Sequence, residues 1–457
     1  MQQKKPRSKN HRKTAGVRKK KKGQQRLLLI VLAALLIAGL LIGAIVTVIG
    51  RSGGGTQDSG EETAQTVTEA GSENIAEADG SETQAASPGE ENAAESAETE
   101  ASEPTEEELR LMEAQALLDG MTTEEKVAQL FFIAPEAIVD VETVTQCGDK
   151  MREALTRYPV GGIVLFAKNL ETPEQTREML AGMQSVLTER SGVPAFLSVD
   201  EEGGIVRRVG IKEAFGVPQI ESMGIVAADG TEAVTEAAQT IGNYLSDLGF
   251  NTDFAPVADI LTNPENRVIG ERAFSSDPQD TAEKAFAYAE ALTEQGVFPV
   301  YKHFPGHGDT AEDSHTGYAF SYKTLDELRE AELIPFVDAA KNKIPFIMAA
   351  HISLPNVTGD DTPASLSPVI ITDLLRNNIG YEGIIITDAL DMGAISNHYT
   401  PGEASVKALE AGCDMLLMAG HFEESYQAVL AAVESGVLTQ ERINESVLRI
   451  LLLKTEM

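Results

Sequence analysis

The sequence predicts an α/β protein built on a (β/α)8 barrel of the TIM type, preceded by a single transmembrane helix and a disordered acidic linker. Three observations point to the barrel. Eight short apolar runs recur through the C-terminal 350 or so residues, amphipathic helical patterns alternate with them, and polar side chains follow several of the runs directly. Alternation of strand and helix implies a parallel sheet, and eight repeats favour closure over an open sheet. A barrel also places its working residues just beyond the strand ends, at the C-terminal face.

Taken in order, residues 1–26 form a basic tail that is expected to be cytoplasmic. The first 50 residues hold twelve Lys or Arg and no acid, so a formal net charge of −34 leaves −46 for the rest. Residues 27–49 contain no charged side chain. At roughly 1.5 Å per residue they would reach about 35 Å as a helix, enough to cross a bilayer. A cleavable signal sequence has a shorter apolar core of about 7–15 residues, and no small-x-small cleavage site ends this one. Positive charge on the N-terminal side places that end in the cytoplasm and everything after it outside. The basic tail suits lipid headgroups, whereas the acidic body argues against nucleic acid as a partner.

Residues 50–103 are low in complexity, and from Ser52 onward they hold fourteen acids, no Lys or Arg and no aromatic residue. Such a segment cannot bury enough apolar surface to offset its ordering entropy, and its charges repel. It is expected to be a flexible tether reaching on the order of 40 Å.

From residue 104 to 457 the composition is that of a globular domain. Helical periodicity over Glu106–Leu118 is followed by Thr122 and Glu125 at capping-box spacing. The predicted strands are Leu130–Ile133, Gly162–Phe166, Ala195–Val199, Thr252–Val257, Val297–Tyr301, Phe346–Ala350, Gly383–Ile386 and Met415–Met418. The predicted helices include Pro173–Thr188, Glu232–Leu248, Thr281–Gln295, Leu325–Lys341 and Pro401–Ala411. Asp200, Lys302 with His303, His351 and Asp388 each follow a strand. Cys147 and Cys413 stand far apart without zinc-site spacing and are read as two buried thiols. The segment Gly203–Val206 lacks the glycine spacing of a nucleotide-binding turn.

The densest chemistry lies in Tyr301–Tyr318, YKHFPGHGDTAEDSHTGY, which holds three of the chain's seven histidines. Pro305, Gly306 and Gly308 keep a helix from starting, so the segment reads as a strand end followed by a long polar loop. Spacing alone leaves two chemistries open. His303 and His307 imitate a metal-binding pair, but Pro305 and Gly306 break the helix that would bring them to one face. Alternatively, a loop histidine beside an acid could serve as a general acid and base.

Four segments, Val199–Val209 (VDEEGGIVRRV), Val268–Asp277 (VIGERAFSSD), Lys302–His315 (KHFPGHGDTAEDSH) and Ile385–Ile395 (IITDALDMGAI), occur in an order that resembles the bacterial β-N-acetylhexosaminidases of glycoside hydrolase family 3. The resemblance runs from Thr122 to Lys454. It implies a barrel and exo-hydrolysis of terminal β-linked N-acetylglucosamine, with retention, through a covalent glycosyl-enzyme. By position it implies Asp388 as nucleophile, His315 as general acid and base, and Asp313 as the carboxylate that orients His315. Asp391 is the nearby alternative, set aside as the start of the following helix. The resemblance further implies substrate contacts from Asp200, Arg208, Arg272, Lys302 and His303, with His307 and Asp309 shaping the loop. It implies no metal or organic cofactor, a carbohydrate partner and a monomer.

The sequence departs from the commoner pattern DQEGGRVQR at Glu201, Ile205 and Arg207. Loss of a positive charge at Ile205 leaves the support of the Asp200 loop in question. Three other readings stay open: phosphorolysis of the same substrates, since a neutral imidazole does not repel phosphate as a carboxylate would; a metallohydrolase; and a catalytically silent protein that binds cell wall.

Overall fold

The computed structural model of the chain describes residues 104–310, 314, 317 and 319–457. The basic tail, the membrane span and the acidic linker expected over residues 1–103 lie outside these residues, as do Asp313 and His315. No helix among the described residues is long and apolar enough to cross a membrane.

Each of the eight predicted runs overlaps a parallel strand: β1 (Phe131–Ile133), β2 (Gly162–Val164), β3 (Phe196–Val199), β4 (Thr252–Asp253), β5 (Phe298–Phe304), β6 (Phe346–Ala349), β7 (Ile384–Thr387) and β8 (Leu416–Leu417); β5 runs three residues past its predicted end, so Lys302 and His303 lie within it rather than after it. The strands neighbour one another in sequence order, and β8 pairs with β1. A parallel bridge from Ile386 to Met415 joins β7 to β8 and closes the barrel. A separate two-stranded parallel ribbon, Ala319–Phe320 with Ile352–Ser353, sits outside it.

Inside the barrel, Phe196 packs edge-on against Phe346, with ring centroids 5.0 Å apart, and against Phe298 at 6.1 Å. Phe132 meets Phe254 at 5.2 Å. Gly162 makes room for this layer, because a Cβ there would lie 2.5 Å from the Phe132 ring. Burial of apolar rings on this scale, at about 25 cal/mol per Å² of area removed from water, is the main force holding the strands together.

The helices start where the sequence signals them. Thr105 with Glu108 and Thr122 with Glu125 form capping boxes ahead of Glu106–Gly120 and Thr123–Gln129, and Thr400 with Glu403 does so ahead of Pro401–Ala411. Helix Leu325–Lys341 needs correction, for it breaks into Leu325–Glu330 and Ile334–Lys341. Pro335 accounts for the break, since its ring would clash with the carbonyl of Ala331 in a continuous helix. The cysteine reading also changes: Cys413 is buried, but Cys147 is only half-buried, and both are free thiols.

Strand β5 positions the site. Its register against β6 slips between Tyr301 and Phe304, where three residues advance against two, Ile347 to Ala349. Consecutive strand residues normally face opposite sides. The extra residue of this bulge lets Lys302 and His303 both face the same cavity.

Candidate active site

A cavity of about 320 Å³ opens at the C-terminal ends of the strands, and Asp200, Glu202, Arg208, Arg272, Lys302, His303, Ser314 and Asp388 help to line it. A larger cleft, about 540 Å³, lies at the opposite ends of β5, β6 and β7 beside Phe298, Pro345 and Gly383, and has no histidine in its lining.

Asp388 follows β7. Its N–H donates to the Ala349 carbonyl at 2.8 Å, which fixes the residue against β6, and its Oδ1 accepts the Ala389 N–H at 2.7 Å. Burial works against ionisation here. The neighbouring imidazoles of His351 and His303, the Ala389 N–H and the Lys302 ammonium outweigh it and hold the carboxyl below the usual range. His351 lies behind Asp388, outside the cavity lining. Its Nε2 meets the Ala389 carbonyl at 2.9 Å and its Nδ1 meets the Ser365 hydroxyl at 2.7 Å, so both ring nitrogens serve to hold the turn. Burial lowers its proton affinity, consistent with a neutral ring that has both nitrogens engaged.

Asp200 follows β3 and is gripped from two sides, by Lys302 Nζ at 3.1 Å and Arg208 Nη2 at 3.3 Å. The chain returns from Asp200 to Arg208 through a tight turn at Gly203 and Gly204, with φ of 87° and 55°. At Gly204 a Cβ would fall 2.0 Å from the Ser222 hydroxyl, so only glycine fits. Ile205 is 73% exposed, which answers the question left by the sequence: the loop is held by other residues.

Lys302 also reaches Glu202 at 2.5 Å, and Arg272 bonds both Glu202 oxygens, at 2.8 and 2.9 Å. Burial opposes the charge on Glu202, but Arg272 and Lys302 hold its carboxyl far below the ordinary range. Burial likewise opposes the charge on Lys302, and Glu202 and Asp200 overcome it. Asp200, Glu202, Arg208, Arg272 and Lys302 thus form one connected ionic set, fixed before any ligand arrives. Burying such a set costs desolvation, which its ion pairs and hydrogen bonds have to offset.

His303 Nδ1 lies 2.6 Å from Asp259 Oδ2, while Asp259 Oδ1 accepts the N–H groups of His303 at 3.2 Å and His307 at 2.6 Å. Burial raises the proton affinity of Asp259, and the two histidines more than reverse the effect. His307 uses Nδ1 toward Thr310 at 2.7 Å and Nε2 toward Ser314 at 3.1 Å. Burial first, then His303, keep this ring neutral. Both ring nitrogens of His307 are committed in this way, so His303 and His307 do not form a metal pair. Among the described residues, no group of three His, Cys, Asp or Glu could hold a metal ion.

Ser314, between Asp313 and His315, is buried and lines the cavity, and its carbonyl accepts the Ala394 N–H at 3.1 Å. Asp309 accepts from the Ser321 hydroxyl at 2.8 Å, a loop-shaping contact. Asp391 is exposed at the cavity rim, two residues ahead of helix Gly393–Ser396. It therefore does not start that helix.

The structure brings together Asp200, Arg208, Arg272, Lys302, His303 and Asp388. The sequence reading missed Glu202 and Asp259. Each is an acid next to a strand end, and residue type alone does not separate such acids from helix caps.

Fold and site place the chain in a class of barrel proteins with an ionised strand-end carboxylate beneath a fixed set of charged side chains. Residues 122–453 match the family model described as the glycosyl hydrolase family 3 N-terminal domain, and the chain belongs to that family. It is 36% identical over 336 residues to β-hexosaminidase A of Pseudoalteromonas piscicida, a match covering 69% of this chain and 56% of that protein. It is 32% identical over 345 residues to β-hexosaminidase LpqI of Mycobacterium tuberculosis, covering 73% and 83%. Among solved structures, the glycoside hydrolase family 3 β-N-acetylglucosaminidase of Paenibacillus sp. FPU-7 superposes with a TM-score of 0.69 at 38% identity, over 74% of this chain and 62% of that one. The chain thus spans less than two thirds of the length of the Pseudoalteromonas and Paenibacillus proteins.

Proposed function

We propose that the protein is a membrane-anchored, exo-acting, retaining β-N-acetylglucosaminidase that removes terminal β-linked N-acetylglucosamine from cell-wall-type glycans. The observation that carries this reading is Asp388, a low-pKa carboxylate at the end of β7 with one face open to the cavity that Asp200, Arg208, Lys302 and His303 line. An ionised carboxylate there can attack the anomeric carbon of a sugar whose hydroxyls are held by the charged set. His315 protonates the leaving oxygen and then takes a proton from water, while Asp313 orients the ring. Ser314, their neighbour in sequence on both sides, lines the same cavity.

The names of the relatives support the N-acetylhexosamine substrate. The uncharged residues 27–49 behind twelve positive charges support an anchor with the barrel outside, which makes wall glycans the accessible substrate.

The test is release of p-nitrophenol by the full-length protein from its β-N-acetylglucosaminide and its β-glucoside. The N-acetyl substrate is expected to be cleaved about 100-fold or more faster, as a site built to bind the acetamido group rejects a sugar lacking it. Failure of folded protein to cleave either would favour a silent wall-binding protein.

A further inference from the structure

Behind the cavity, the residues flanking Glu201 face the substrate space and Glu201 does not. Asp200 and Glu202 line the cavity, whereas Glu201 turns outward and is 1% exposed. Its carboxylate accepts three successive backbone N–H groups, from Arg208 at 2.5 Å, Val209 at 2.8 Å and Gly210 at 2.8 Å, and the Tyr244 hydroxyl at 2.8 Å. Successive N–H groups aimed at one anion make a strong, charge-assisted cradle. The N–H of Glu201 in turn donates to Asp253 Oδ1 at 2.9 Å, while Asp253 Oδ2, fully buried, has no hydrogen-bond partner.

A carboxylate with four donors is satisfied as an anion, and a buried one with a single donor is not. The groups facing Asp253 are Glu201 and Asp200 from the β3 turn, Lys302 from β5, Tyr244 from helix Thr231–Leu248 and Tyr288 from helix Pro278–Glu294. Burial and then the charges of Glu201 and Asp200 hold Asp253 well above the carboxylate range, against the Glu201 N–H and Lys302.

We propose that Glu201 and Asp253 are positioning residues for this site: the Glu201 carboxylate cinches the turn from 201 to 210 so that Asp200 and Arg208 meet the sugar together, and Asp253 supports it from behind through the Glu201 N–H. The proposal rests on the function proposed above. It explains why this chain works with glutamate where the commoner motif has glutamine. Glutamine offers one acceptor oxygen and would turn a donor NH2 toward at least one of the three N–H groups.

The test uses full-length protein, wild type beside Glu201→Gln and Asp253→Asn. KM and kcat for p-nitrophenyl N-acetyl-β-glucosaminide are followed across the whole pH range in which the protein stays folded, with amide hydrogen exchange of residues 206–212 alongside. Glu201→Gln is expected to raise KM about tenfold or more while kcat changes less than about threefold, since charge-assisted bonds to the turn are lost and the reacting groups are untouched. Exchange at Arg208, Val209 and Gly210 rises by about tenfold or more.

A group whose native pKa is raised supports the fold below that pKa and loses its support as pH rises through it. Wild-type KM therefore climbs as pH rises through the Asp253 pKa, and Asp253→Asn flattens the climb. Unchanged KM and exchange in Glu201→Gln, or a climb that persists in Asp253→Asn, would overturn the proposal. If Glu201→Gln does not fold, Gly210→Ala tests the same clasp, because its Cβ would lie 2.8 Å from Glu201 Oε1. A wild type without activity would refute the functional reading, and exchange alone would then decide the clasp.

Discussion

Replacing Asp388 with alanine is expected to lower kcat by about 10³-fold or more, with melting temperature close to wild type. Loss of a covalent nucleophile removes the step itself, and losses of this order accompany removal of a reacting group from a preformed site. The ionic set of Asp200, Glu202, Arg208, Arg272 and Lys302 makes its contacts without Asp388, so the cavity should keep its shape and its affinity. Steady-state kinetics on the N-acetyl chromogenic substrate, with thermal unfolding as the control for folding, measure both quantities. If Asp388→Ala retains more than about a tenth of wild-type kcat, the nucleophile is another residue, and Asp391 at the cavity rim is the first to test.

His315→Ala is expected to cost about 10² to 10⁴ in kcat, and the loss should depend on the leaving group. An alkyl or sugar aglycone needs a proton as it departs, whereas a nitrophenolate departs with much less help. Comparing the two substrate types in wild type and variant separates proton transfer from mere positioning. A loss of equal size on both in kcat/KM, which reports the leaving-group step alone, would assign His315 to loop structure rather than to acid catalysis.

Much of the barrel was legible because its signals are local. All eight apolar runs overlap a strand, and Thr122 with Glu125 cap the helix that they mark. Strand-end position also identified Asp200, Lys302, His303 and Asp388, since a closed parallel barrel leaves only its loop face for such residues. What stayed hidden depends on contacts between distant segments. The β5 bulge is a matter of register against β6, and no residue type announces it. Glu202 gains its meaning only from Arg272 and Lys302, which are 70 and 100 positions away in sequence. Asp259 likewise gains its meaning from His303. The break before Pro335 was the exception, a local signal that the apolar periodicity of Leu325–Lys341 obscured.

Retention through a covalent intermediate on Asp388 is the central claim, and the first-formed anomer of the released sugar tests it most directly. In a proton NMR time course with p-nitrophenyl N-acetyl-β-glucosaminide and the full-length protein, N-acetylglucosamine should appear first as the β-anomer and only later equilibrate. Initial appearance of the α-anomer would mean direct attack by water, and would contradict both the nucleophile and the role given to His315.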